Sequence, residues 1–241
     1  INSELQFFSC EQEPVYDPKI AQKVVALADL SPGSLVLDAG CGTGYWGKSF
    51  TSFGYRTMGI DISKAVIERV RKRSLPGQVF RTGNLLDKSS LAGLKFDAIV
   101  CGGVLHHFPD KIDLQQVFTN MTKSLKANGK IILIEPNGSN PAVCLSRTIG
   151  RFLVKFYSPR VASENETMHS VKTYAELFKK NHLEILTVES CLHDMSRETK
   201  GEDLLLNFLS FVRKVLYKST WKILPEPYRG NEIIIMAQLK N

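Results

Sequence analysis

The chain has 241 residues, 43% of them hydrophobic and 23% charged, an ordinary globular balance that sets aside disordered and fibrous classes and suffices for one large α/β domain. Its formal net charge of +7 is confined to two segments: 138–163 and 204–224 each hold four basic residues and no acid, which leaves 23 basic against 24 acidic residues elsewhere, so basicity is not a property of the whole surface. Five scattered cysteines without a C-x-x-C pair support neither a disulfide framework nor a zinc site, and no metal is expected.

No apolar run reaches the roughly 18 residues of a membrane span, and the first residues lack the basic-then-apolar layout of a signal peptide, so the expectation is a cytoplasmic chain without a transmembrane segment. Ile20 to Leu30 repeats apolar residues at helical spacing and stops at Ser31-Pro32-Gly33, which makes 1–33 an N-terminal helical segment. Ser34 to Ala39 is a continuous apolar run suited to a strand buried on both faces. A helix follows to about Phe53, then Tyr55 to Asp61 as strand, Lys64 to Arg73 as helix and Gln78 to Thr82 as strand. Phe96 to Cys101 reads as strand, Leu114 to Leu125 as helix with a stop at Asn128-Gly129, and Lys130 to Glu135 as strand. Beyond Pro136 come candidate helices at Ala142 to Phe156, Thr173 to Lys180 and Asp203 to Leu224, and strands at Glu184 to Glu189 and Glu232 to Leu239. This βα alternation predicts a doubly wound, mostly parallel α/β sheet of seven strands in one domain, 1–241, with cap insertions at 138–170 and 192–230 that are too short for cores of their own.

In such sheets ligands bind beyond the carboxyl ends of the strands, where strand order reverses. The first strand ends in Asp38-Ala39-Gly40-Cys41-Gly42-Thr43-Gly44, where small residues admit close backbone approach and the next helix offers unpaired N–H groups. A dinucleotide turn places glycines at relative positions one, three and six. Here they stand at one, three and five and position six is Tyr45, which disfavours a nicotinamide cofactor and favours a smaller nucleoside. Asp61, closing the second strand, is placed to accept from both hydroxyls of a ribose.

The motifs VLDAGCGTG (Val36 to Gly44), GIDIS (Gly59 to Ser63), FDAIVCGGVLHHFPD (Phe96 to Asp110) and LKANGKIILIEPN (Leu125 to Asn137) resemble, in order and spacing, those of the class I S-adenosylmethionine-dependent methyltransferases. The resemblance implies a Rossmann-like sheet with an antiparallel last strand, a cofactor-binding half at 34–137 and S-adenosyl-L-methionine as cofactor. It implies that Gly40 and Gly42 line the methionine half of that cofactor, that Asp38 orders its amino group, and that Asp61 holds its ribose. It further places Ile62 on the adenine face, Asn84 and Leu85 at the adenine edge, Gly102 and Val104 beside the cofactor, and Tyr16 over the methionine moiety. Many relatives carry an acid where this chain has Asn84; an amide still accepts from the adenine amino group and donates to a ring nitrogen.

Methyl transfer from a sulfonium is an in-line displacement that a closed, aligned pocket accelerates, with a base needed only for acidic acceptors. His106 and His107, past the fourth strand, are the candidate bases: one is expected to face the cleft and the other to be structural. Glu135 either orients a substrate or bonds to backbone, and His169 and Glu166 either reach the cleft from the first insertion or, as the preferred reading, stand in a solvated loop. The insertions are amphipathic and cationic, with Leu145, Ile149, Phe152, Leu153 and Phe156 beside Arg147, Arg151 and Lys155, and Lys214, Lys218 and Lys222 beside Phe208, Val212, Val215 and Leu216. Three readings stay open: a cap for a small anionic or amphiphilic substrate, peripheral contact with an anionic membrane, or two ordinary solvated cap helices. Nucleic acid is disfavoured, because the fourth strand lacks the Pro-Pro-aromatic turn that grips a base amine and no stacking aromatics interleave the basic runs. The expected activity is methylation of a small apolar or amphiphilic metabolite at oxygen, nitrogen or carbon. A non-catalytic cofactor-binding partner and an RNA or protein methyltransferase are the alternatives.

Overall fold

A computed structural model describes residues 18–157, 166–192 and 204–240; Tyr16 lies outside the described residues. The elements run α1 (Pro18–Ala28), β1 (Leu35–Ala39), α2 (Tyr45–Ser52), β2 (Arg56–Asp61), α3 (Lys64–Arg71), β3 (Gln78–Thr82), β4 (Phe96–Gly102), α4 (Lys111–Lys123), β5 (Leu125–Pro136), α5 (Pro141–Tyr157), α6 (Val171–Lys180), β6 (Leu183–Cys191), α7 (Leu204–Ile223) and β7 (Glu232–Leu239), with short 3-10 turns at Lys88–Leu91 and Leu105–His107. The seven strands form one sheet in the order β3-β2-β1-β4-β5-β7-β6. β1 to β5 pair in parallel, and β7 runs antiparallel to both its neighbours, as the family resemblance implies.

The continuous apolar runs reflect a sheet covered on both faces. Successive strand residues point to opposite sides. Leu37, Ile99, Cys101, Ile131 and Leu133 pack with Val117, Phe118 and Met121 of α4 and Tyr174 and Phe178 of α6. Their strand neighbours Val36, Ala98, Val100, Ile132 and Ile134 pack on the other side with Val24 and Ala28 of α1 and Trp46 and Phe50 of α2. Side-chain caps start the helices where the sequence supplies them: Ser63 Oγ accepts from Val66 N, Asp110 from Ile112 N and Ser170 from Thr173 N.

One boundary departs from expectation. β5 begins at Leu125, which pairs with Phe96, and the register slips before Ala98 meets Lys130. Asn128, at φ 59°, lies within this bulge, so Asn128-Gly129 marks an irregularity inside the strand and not a loop ahead of it. The described parts of the two insertions pack together. Asn137 Nδ2 donates to the carbonyls of Pro227 and Arg229, each at 2.9 Å, and Asn140 Nδ2 donates to Gly230 O at 2.8 Å and Thr220 Oγ1 at 3.1 Å. The Ser146 and Tyr217 hydroxyls lie 2.8 Å apart and tie α5 to α7.

Candidate functional site

Strand order reverses between β1 and β4, and the segments leaving these two strands meet there. Gly40 and Gly42 stand at φ 72° and 48°, the left-handed region that glycine enters without strain. A Cβ on Gly40 would lie 2.5 Å from Val104 Cγ2, whereas one on Gly42 would meet nothing within 4 Å. Gly40 is therefore small because Val104 packs on it, and the space over Gly42 is open. The turn is pinned to β2, since Gly40 N and Cys41 N both donate to Ile60 O and Gly42 N donates to Asp61 Oδ2 at 3.0 Å. The other Asp61 oxygen accepts from Ser63 N at 2.9 Å. Each oxygen thus spends one lone pair on a backbone amide and keeps another for a ligand.

Asp38 is fully buried beneath the first turn of α2. Its Oδ2 accepts from Gly47 N at 2.7 Å, and its Oδ1 has no hydrogen-bond partner. Burial, opposed by the Gly47 bond and assisted by the nearby Asp61 charge, pushes its carboxyl up to about 7. Burial likewise drives the Cys41 and Cys101 thiols well above their ordinary range, which leaves neither as a ready thiolate.

Ile62, just past β2, is 66% exposed, so its side chain is open to a ligand. Asn84 Oδ1 accepts from Leu86 N at 2.9 Å and Asn84 N donates to Ser90 Oγ at 3.0 Å, so its amide already shapes its own loop. Leu85 is buried in the core, which leaves only its main chain to border a ligand. A Cβ on Gly102 would fall 2.0 Å from Trp46 Nε1. The indole explains that glycine, a reason spacing could not reveal because Trp46 and Gly102 lie on different elements.

Beyond β4 the two histidines differ in exposure. His106 is buried and His107 exposed, with ring centroids 4.1 Å apart. Glu135, fully buried at the end of β5, accepts from Val104 N and Leu105 N through Oε1, each at 2.8 Å, and holds His106 Nδ1 2.9 Å from Oε2. Glu135 therefore bonds to backbone, as one of its two readings has it, and also holds His106. The 166–170 segment is not a solvated loop. Thr167 N donates to His106 O at 2.7 Å, and His169 is buried, its Nε2–H donating to Phe108 O at 3.1 Å. Burial lowers the His169 pKa and keeps it neutral. Glu166 accepts from Arg147 Nη1 at 2.6 Å, and ligand atoms of His106, His107 and Glu166 lie within 4.8 Å of one another. Arg147 thus turns toward Glu166 and supplies the charge partner of the carboxylate. The sequence carried no signal for this pair, which joins α5 to residues beyond an intervening segment.

Residues 15–188 match the family model of the methyltransferase domain. The chain is 24% identical over 210 residues to a ubiquinone biosynthesis O-methyltransferase of Xanthomonas oryzae, covering 84% of this chain and 86% of the relative. It shares its fold with the magnesium protoporphyrin IX methyltransferase of Synechocystis, solved with bound SAH, at TM-score 0.62 and 18% identity over 92% of this chain and 83% of that one. A geranyl diphosphate methyltransferase solved in complex with SAM gives TM-score 0.64 and 18% identity, covering 92% and 84%. The glycine turn, the strand order and a match across most of the chain agree: this protein belongs to the class I S-adenosylmethionine-dependent methyltransferases.

Proposed function

We propose that this enzyme methylates a hydroxyl of a small amphiphilic metabolite, with His107 as the base that receives the hydroxyl proton. The observation that carries the reading is the division of labour in the histidine pair. His106 is clamped by Glu135, while His107 is exposed beside it. A buried carboxylate that fixes one ring fixes the platform on which the second ring rests, and an imidazole titrates close enough to neutrality to serve as a base. The ubiquinone relative is named an O-methyltransferase, which supports a hydroxyl acceptor.

The residues present fit the methyl donor. The orphaned Oδ1 of buried Asp38 lacks what an ammonium group supplies, and the two free lone pairs of Asp61 suit a ribose diol. Ile62 offers an apolar face for a purine, and the open space over Gly42 leaves room for the ligand against the main chain. When bound, S-adenosylmethionine supplies an electrophilic methyl group on a positively charged sulfur. This chain's residues seat the donor, align the acceptor and take up its proton.

The test is transfer of labelled methyl to small phenols and hydroxylated lipids, with transfer RNA as the competing acceptor class. We expect label in the organic-soluble products. His107→Ala should lower kcat by about a hundredfold or more while adenosylhomocysteine binding stays unchanged. Label confined to RNA, or a kcat indifferent to His107, would overturn the reading.

A further inference from the structure

We infer that the outer face of the α5/α7 pair is a docking surface for a lipid bilayer bearing anionic headgroups. The two helices pack antiparallel, because the contact partners that ascend from Asn140, just before α5, to Ser146 within it descend along α7 from Thr220 to Tyr217. Val143, Ser146 and Tyr217 are buried in that contact. Side chains pointing elsewhere on the same helices are large, aliphatic and uncovered: Leu145 is 56% exposed, Ile149 44%, Val215 47% and Ile223 78%.

Lysines share this outer face. Lys214, Lys218 and Lys222 are all exposed and recur every fourth residue, one above another along α7. Around the helix, Val215 lies next to the Lys222 row and Ile223 lies beyond it, so cationic and aliphatic side chains occupy one continuous exposed surface. Arg147, by contrast, faces Glu166 and contributes nothing to it.

Charge complementarity alone would suit any polyanion; the described aliphatic residues favour a bilayer. Single-stranded nucleic acid gains affinity from stacking on aromatic rings, and the exposed side chains described on this face, isoleucine, leucine and valine, offer no such platform. Inserted below a headgroup layer, they leave water while the lysines stay among the phosphates, the arrangement of an interfacial amphipathic helix. No described helix is long and apolar enough to cross a membrane, so the contact is peripheral. The inner side of α5 carries Arg147, which reaches Glu166 beside the histidine pair. Docking through its outer side therefore brings the bilayer close to the acceptor end of the cleft.

The full chain is sedimented with vesicles of phosphatidylcholine alone and of phosphatidylcholine mixed with phosphatidylglycerol, at low and at high salt. We expect partition onto the mixed vesicles that falls as salt rises. The combined variant Lys214→Glu, Lys218→Glu, Lys222→Glu should weaken it by more than about tenfold. The combined variant Ile149→Ser, Val215→Ser, Ile223→Ser should weaken it by a similar factor, most visibly at high salt. Retained adenosylhomocysteine binding by both variants reports an intact fold, independently of which acceptor the enzyme uses. No partition onto anionic vesicles at low salt would overturn the inference. So would equal partition onto both vesicle types, or a serine variant that binds as tightly as the parent chain at both salt concentrations, since attraction between charges alone would then account for the binding.

Discussion

Asp38 and Asp61 sit at the ends of adjacent strands and differ in what the fold leaves them. Both Asp61 oxygens are engaged by backbone amides, whereas Asp38 keeps one oxygen buried and unpartnered and its carboxyl is pushed up to about 7 by burial. The unfolded chain ionises this group near its ordinary value while the folded chain retains the proton. Between about pH 4 and pH 7 the folded state therefore binds more protons at Asp38 and loses stability as pH rises; above about pH 7 both states are ionised and the loss is complete, up to about 4 kcal/mol from this group. Asp38→Asn still accepts from Gly47 N but cannot ionise. We expect its urea-unfolding free energy to decline less between pH 4 and 7 than that of the parent chain. Adenosylhomocysteine affinity should rise with pH through about 7 in the parent and lose that component in Asp38→Asn. Parallel pH profiles for the two proteins would show that Asp38 neither stays protonated nor meets the amino group.

At the scale of elements, the turn after β4 is built by a residue of β5. Glu135 accepts from Val104 N and Leu105 N and holds His106, so a strand end, a 3-10 turn and the buried ring beside His107 depend on one carboxylate. Glu135→Gln keeps a single acceptor oxygen in a site that uses two. At least one buried donor goes unpaired or the turn shifts, and we expect a loss of about 1–3 kcal/mol in urea unfolding together with a kcat lowered more than cofactor affinity. A change in stability alone would make Glu135 purely architectural. This cluster also shows where the sequence was legible. Buried strands announce themselves because both faces are apolar, and the glycine turn, Asp61 and the histidines stand in contiguous motifs. Glu135 and His106 were each visible, but nothing in a linear spacing of 29 residues says that they touch. Arg147 is a related case: helical periodicity assigns it to a face of α5, and its partner Glu166, supplied from beyond the intervening segment, is invisible in that spacing. Asn128-Gly129 announces a reversal, and only pairing with β4 shows that the strand continues on both sides of it.

Across the whole molecule, the candidate cofactor seat draws on the ends of β1 and β4, which flank the switch point, and of β2 beside β1. A ligand that bridges them binds only the folded chain, and its binding energy becomes folding stability. At a concentration about a hundredfold above Kd, adenosylhomocysteine should stabilise the protein by about 2.7 kcal/mol, which for a chain of this size raises Tm by about 5–10 °C. Asp61→Ala removes both ribose acceptors, charge-assisted bonds that each contribute about 1.5–3 kcal/mol, and so weakens binding at least about tenfold. At the same ligand concentration its Tm shift should shrink to about half or less. The variant also frees Gly42 N and Ser63 N and starts from a lower Tm, so the diagnostic quantity is the ligand-induced shift and not the Tm itself. Equal shifts in the two proteins, measured by scanning calorimetry, would place the nucleoside away from β2 and require a different carboxylate at the sugar.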